Sequence, residues 1–120
     1  MIELLLLLFI KHFIVDFPLQ VQYQWRNKGT YGHPGGILHS GLHGIFTTIC
    51  LCFFIGSYAI VLGLIDAVIH YHVDWCKMNI NKRMGWDANS NDEFWYLLGF
   101  DQLLHALTYI WLVNMAVGLI

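Results

Sequence analysis

Charge is what this sequence has least of. Only 12% of its 120 residues are Asp, Glu, Lys or Arg, about half the share of a soluble domain, which excludes an extensively solvated globule. A basic surplus is missing as well. Six Lys and Arg stand against eight Asp and Glu, a formal net charge of −2, so no nucleic-acid partner is expected. Three cysteines make no disulfide framework. Cys50 and Cys52 sit in an apolar run and are expected to pack there. Cys76, beside Asp74, is read as a packing residue in preference to a ligand. The leucine run at the start has no basic segment before it and no small-residue cleavage site after it. It is therefore read as the first membrane helix, opening at Met1, and not as a signal peptide.

What is present is apolar length. Hydrophobic residues make up 58% of the chain, and a membrane-spanning helix needs roughly 20 of them in succession. Four segments meet that length, at about residues 2–22, 36–55, 57–77 and 92–120. The expected fold is all-α: one integral membrane domain over residues 1–120, a bundle of four transmembrane helices. Pro18 is expected to kink the end of the first helix, as membranes tolerate. Residues 23–35 and 78–91 read as polar loops, and Ser90 with Glu93 reads as a capping box opening the last helix. The turn at Gly56 and Ser57 is very short, so helices two and three should form a tight hairpin. Arg26, Lys28, Lys77, Lys82 and Arg83 border or occupy the two polar loops. The positive-inside rule then puts those loops in the cytoplasm and both termini outside.

Polar residues inside these spans repeat at helical spacing. The first segment carries His12, Asp16 and Gln20, the second His39 and His43, the third Asp66, His70 and Asp74, and the last Asp101 and His105. Every span thus presents His or Asp at i and i+4, one turn apart on one face. At about 1.5 Å per residue from the loop ends, His39 and Asp74 lie near 5 Å. Asp16, His43, His70 and Asp101 lie near 10 Å, and His12, Asp66 and His105 near 15 to 20 Å. All nine therefore fall in the cytoplasmic half of the bundle. His72 points about 200° away from His70 and is left out, and His33 is read as a solvent-facing loop residue. Lys11 should snorkel or pair with an aspartate. Trp75, Trp86, Trp95 and Tyr96 read as interfacial aromatics.

Imidazole and carboxylate together suit a divalent transition metal, and facing helices commonly build such sites. Nine candidate ligands exceed one tetrahedral set. One or two ions are expected, zinc first, with manganese or iron as alternatives, and Gln20 and Gln102 orient ligands from behind. The competing reading is an Asp–His network without metal, structural or proton-relaying. Burying four aspartates without cations is costly, which favours the metal.

The segments KHFIVDFPLQ, HSGLHG, IDAVIHYHVDWCK and FDQLLHALT resemble a family of small bacterial and phage membrane proteins catalogued as a domain of unknown function. Its members show a similar His-x3-Asp-x3-Gln opening, a central Asp-x3-His-x3-Asp-x2-Lys and a late Asp-Gln-x2-His. The resemblance spans nearly the whole chain and implies a bacterial inner membrane or a host-cell membrane as the setting. It implies functional roles for His12, Asp16, Gln20, His39, His43, Asp66, His70, Asp74, Lys77, Asp101, Gln102 and His105, and it implies no activity. The pattern is also distantly similar to integral membrane metal-dependent hydrolases.

The leading expectation is a metal-dependent hydrolase acting at the cytoplasmic leaflet on a lipid or lipid-linked phosphate. Asp66 or Asp74 would serve as bridge or general base, and Lys77 would hold an anionic group. No serine or cysteine nucleophile is well placed, so water activated by the metal would attack. Two other classes stay open. One is a transporter or channel for divalent metal or protons, disfavoured because the outer halves of the first two spans carry almost no polar residue. The other is a regulatory or interaction protein with a structural metal site. Membrane lipid is the expected partner, and a homodimer is an option through Gly41 and Gly44.

Overall fold

The computed structural model describes residues 1–120 as five helices and no strand. They are α1 (Ile2–Asp16), α2 (Gln22–Asn27), α3 (Pro34–Ile55), α4 (Tyr58–Met84) and α5 (Asp92–Leu119). The long helices alternate in direction, so one end of the bundle carries α2 and the 85–91 loop. The opposite end carries both termini and the α3–α4 turn. These are called the loop face and the hairpin end. Around the bundle α1 packs on α3, α3 on α4, α4 on α5, and α5 back on α1, while α2 packs on α3.

Three helices, α3, α4 and α5, are long and apolar enough to cross a membrane. The fourth expected span is shorter than its sequence suggests. α1 stops at Asp16, with Phe17 as C-cap, and residues 17–21 turn before α2 begins. Pro18 is the cause. It has no N–H to donate and disfavours a helical conformation at the residue before it, so it ends the helix where a kink was expected. At 15 residues α1 is about 22 Å long, short of the roughly 30 Å hydrocarbon core.

The loop readings also change, and the expected 23–35 loop holds α2 (Gln22–Asn27). α4 runs on to Met84, seven residues beyond Lys77, because Lys82 and Arg83 sit favourably at the negative end of its dipole. Asn79 also ties that last stretch to the chain beneath it, donating to the carbonyl of Gly29 at 2.8 Å. The Ser90–Glu93 capping box does not form. Asn91 occupies the N-cap position of α5 and no side chain caps it. Ser90 is instead held in a turn by Asp87, whose Oδ1 accepts from the N–H groups of Asn89 and Ser90 at 2.8 and 2.9 Å. Those two donors hold the Asp87 carboxyl below the usual carboxylate range. His33 is the N-cap of α3, its Nδ1 accepting from Gly35 N–H at 3.0 Å, so it has a structural duty where a free loop position was expected.

Burial is inverted relative to a soluble protein. Fourteen polar or charged residues are buried against eleven apolar ones, while Leu6, Phe9, Phe13, Ile45, Phe53, Leu64 and Leu107 point outward. Such a surface is stable when its solvent is lipid. The apolar core lies in the hairpin half, where Leu4, Leu8, Leu51, Ile55, Leu62, Leu112 and Val113 close the bundle. The polar interior fills the half toward the loop face.

Gly44 and Gly63 set the spacing of α3 and α4. A Cβ on Gly44 would lie 2.6 Å from the carbonyl oxygen of Gly63 and 2.8 Å from the Ala67 Cβ, closer than atoms pack. Gly44 is thus spent inside the chain and is not free to mediate a dimer, whereas a Cβ on Gly41 would meet open space. Gly44→Ala is expected to force the two helices apart and cost about 1–3 kcal/mol, read as an earlier unfolding midpoint in a detergent titration. A variant as stable as the parent would show that the helices slide without cost.

Candidate metal centre

The loop half of the bundle collects every helix's polar stripe into one cluster. His39, His43, His70 and His105 are buried there and His12 is partly buried, and the ring that reaches the axis is set by helical phase. His39 and His43 come from α3, His70 and Asp74 from α4, His105 and Asp101 from α5, and His12 and Asp16 from the last turns of α1. The rings of His43, His70 and His105 stack, with centroids 3.6 and 3.9 Å apart.

Two groups of potential ligand atoms converge. Asp16, His39, His43 and His70 form one, and His70, Asp74 and His105 the other, with all ligand atoms of a group within 4.8 Å of one another. Asp16 Oδ1 lies 2.8 Å from His43 Nε2, 3.1 Å from His39 Nε2 and 3.8 Å from His70 Nε2. Asp74 Oδ2 lies 3.3 Å from the Nε2 atoms of both His39 and His70, and Asp74 Oδ1 lies 3.2 Å from His105 Nε2. A tetrahedral ion with bonds of about 2.1 Å separates its ligand atoms by about 3.4 Å, so these spacings match the edges of a coordination shell.

Protons alone do not satisfy the cluster. His39 Nε2 faces Asp16, Asp74 and His70 Nε2 at 3.3 Å, and one imidazole nitrogen carries one proton at most. Asp74 Oδ2 and Asp101 Oδ1 are buried and make no hydrogen bond, and neither does His70 Nδ1; the Lys28 ammonium stands 3.3 Å from Asp74 Oδ2. Unpartnered buried oxygens facing several imidazoles are the arrangement a cation resolves.

Hydrogen bonds assign the tautomers of three rings. Gln24 Nε2 donates to the Leu19 carbonyl, so its Oε1 faces His39 Nδ1 at 3.2 Å. Nδ1 of His39 therefore donates, and its Nε2 offers a lone pair to the centre. His43 is the reverse. Lys11 Nζ lies 3.2 Å from its Nδ1, and an ammonium has only protons to give, so Nε2 of His43 carries the proton and donates to Asp16. His12 behaves likewise: Gln102 gives its amide N–H to Asp101, turning its oxygen toward His12 Nε2 at 2.9 Å. That nitrogen also donates toward Asp16 Oδ2 at 3.0 Å. His12 and His43 thus grip Asp16, while the Nε2 of His39 is free to bind an ion.

The structure separates the nine expected ligands. Asp16, His39, His43, His70, Asp74 and His105 fall in the two groups. His12 lies outside them, at Asp16 and Tyr109, whose hydroxyl is 2.6 Å from its Nδ1. Asp66 is drawn off toward the hairpin end, where Lys11 Nζ at 2.7 Å and Thr47 Oγ1 at 2.5 Å both donate to its Oδ2. Asp101 is in neither group. Its Oδ2 accepts from Lys77 at 3.2 Å, and its Oδ1 stands 3.4 Å from His105 Nε2. Gln20 donates to the Asp16 carbonyl at 2.6 Å and accepts from Lys28 at 3.1 Å. His72 faces away, bound to the Val68 carbonyl and to Tyr31.

Four participants escaped the sequence reading of the site. Thr47 and Tyr109 continue the 39–43 and 101–105 stripes by one turn, so spacing alone identifies them. Lys11, expected to snorkel or pair, pairs with Asp66 across the bundle. Gln24 and Lys28 had no visible signal. α2 carries them inward, and Lys28 Nζ comes within 3.3 Å of Asp74 Oδ2. Gly36 permits that approach, since a Cβ there would meet the Lys28 Cα at 3.0 Å.

An all-α bundle with three helices of membrane-crossing length and a buried His/Asp cluster able to bind metal defines the class. The sequence model of the family described as Protein of unknown function (DUF3307) matches residues 4–119, and the chain belongs to that family. No curated protein and no solved structure matches it.

Proposed function

We propose that this protein is a membrane-embedded metal-dependent hydrolase whose centre opens to the cytoplasmic leaflet and acts on a lipid or lipid-linked phosphate. The observation that carries the reading is Asp74. One buried carboxylate lies within 3.3 Å of three imidazoles from three helices, with one oxygen lacking any hydrogen-bonded partner.

α1 crosses the bilayer together with the 17–21 turn, which is tolerated at membrane depth because Asp16 and Gln20 line a cavity there. Arg26, Lys28, Lys82 and Arg83 on the loop face then put that face in the cytoplasm and both termini outside. His39, His70, Asp16 and Asp74 Oδ2 suit one ion. His105, Asp101 and Asp74 would hold a second, since a neutral imidazole has one lone pair and His70 would serve one ion only. Zinc fits these donors first, with manganese or iron as alternatives.

A divalent ion there supplies Lewis-acid activation of water and neutralises charge on a phosphoryl group. Asp16 Oδ2 would take the proton as the water oxygen bonds to phosphorus, since both oxygens of Asp74 would be engaged at the centre. The bond from phosphorus to the ester oxygen breaks, and that proton is returned to the leaving alcohol. Asp66 is a poor base, because Lys11 and Thr47 already occupy its Oδ2. Lys77 and Lys28 face the inner cavity and suit an anion. The sealed apolar hairpin half offers no continuous polar track for transport through one chain.

Purified protein is expected to contain a transition metal by elemental analysis and to release inorganic phosphate from lipid phosphomonoesters in mixed micelles. A chelator should abolish that release, and zinc or manganese should restore it. Folded protein that takes up none of zinc, manganese or iron would sink the metal centre. Loaded protein inert on every phospholipid phosphate would sink the hydrolase.

A further inference from the structure

Three hollows meet at one side chain. An inner cavity of about 220 Å³ is bounded by Asp16, Gln20, Lys28, Lys77 and Gln102. A wider vestibule of about 620 Å³ opens at the loop face beside Trp25, Trp86 and Phe94, and shares Lys28 and Lys77 with the inner cavity. The third is an apolar groove of about 250 Å³ on the outer surface between α4 and α5, walled by Cys76, Ile80, Leu97, Phe100 and Leu104. The apolar stem of Lys77 lines that groove as well, beside Asp101 and His72, so Lys77 belongs to all three.

We infer that the α4–α5 groove admits a membrane lipid from the side, its acyl chain along the groove and its anionic phosphate between Lys77 and Lys28. This rests on the reading of the centre as a site of phosphate chemistry. The charges select the ligand's sign. Asp16 lines the inner cavity with Lys28 and Lys77, and Asp74 and Asp101 pair with those two lysines; together the five leave one negative charge in excess, which any divalent ion turns positive. Asp66 and Lys11 cancel each other. Both lysines are buried, at 8% and 9% exposure, and their carboxylate contacts of 3.3 and 3.2 Å hold them at the cavity without neutralising a metal-loaded site. The groove selects the ligand's other half. Its wall is hydrocarbon and it faces lipid, so a soluble phosphoester would leave it unfilled while an acyl chain fills it at no desolvation cost. A zwitterionic head group, whose phosphate carries one negative charge, would satisfy only one lysine, and an uncharged one neither.

Native mass spectrometry of the purified protein with dioleoyl phosphatidate, dioleoyl phosphatidylcholine and glycerol 3-phosphate tests this. Phosphatidate should be retained at least about tenfold better than the other two. Cys76→Trp, which fills the groove from an exposed position, and Lys28→Met should each lower its retention about tenfold or more. If Cys76→Trp does not fold, Ile80→Trp fills the same groove. Phosphatidate binding untouched by the groove variant, or glycerol 3-phosphate bound as tightly, would overturn the inference in favour of a soluble anion. Phosphatidate that binds as described but is never cleaved would overturn the hydrolase and leave the lipid site standing.

Discussion

Asp74→Asn is expected to lose metal affinity by about 100-fold or more while the bundle stays folded. The replacement keeps shape and removes only the charge and the second acceptor oxygen. That oxygen pair spans both donor groups, so no other residue can take over: Oδ2 serves the side of His39 and His70, and Oδ1 the side of His105. Asp66→Asn, made together with Lys11→Met so that no ammonium is left buried without its partner, is the matched control. It makes the same chemical change on the same helix two turns away, outside both groups, where the partners are Lys11 and Thr47, and it should keep its metal. Elemental analysis with a competing chelator measures both. Asp74→Asn that retains metal like the parent would show that the cluster is an Asp–His network and not a coordination site.

Lys11→Met should be the most destabilising change in the hairpin-ward half. Lys11 and Asp66 are 3% and 2% exposed and pair at 2.7 Å. The ammonium also donates to the His43 carbonyl at 3.3 Å and lies 4.6 Å above the Tyr109 ring. Removing it leaves a carboxylate buried among apolar helices, and breaking such a pair from one side costs about 3–5 kcal/mol. The double variant Lys11→Met with Asp66→Asn removes both charges and should recover most of that loss, giving a large coupling in a double-mutant cycle. Unfolding in a detergent titration reads the effect. A single-variant loss under about 1 kcal/mol would mean that water reaches the pair. Metal content should fall far less than in Asp74→Asn, which separates the structural pair from the binding centre.

The two changes probe what α4 does with one stripe. Asp66, His70 and Asp74 are equally spaced and look equivalent along the chain. Their neighbours make them different, since α1 delivers a lysine to the first and α2 delivers another to the last.

The sequence by itself determined that this chain is helical, that its surface is apolar, and that its histidines and aspartates share one face per helix. Those properties are periodic, and a 3.6-residue repeat is written in spacing alone. It also located α3 and α5 within about two residues, because long apolar runs bounded by polar loops leave little choice. Tertiary structure decided the rest. Pro18 ended α1 early because a local conformational penalty outweighed the apolar pattern around it. Which carboxylate stands between imidazoles, and which ring offers a lone pair, depends on the partner at each ring's far nitrogen. Those partners, Gln24 for His39 and Lys11 for His43, come from other helices. Periodicity fixes the direction of a side chain from its own axis, and only the packing of helix against helix fixes what it meets there.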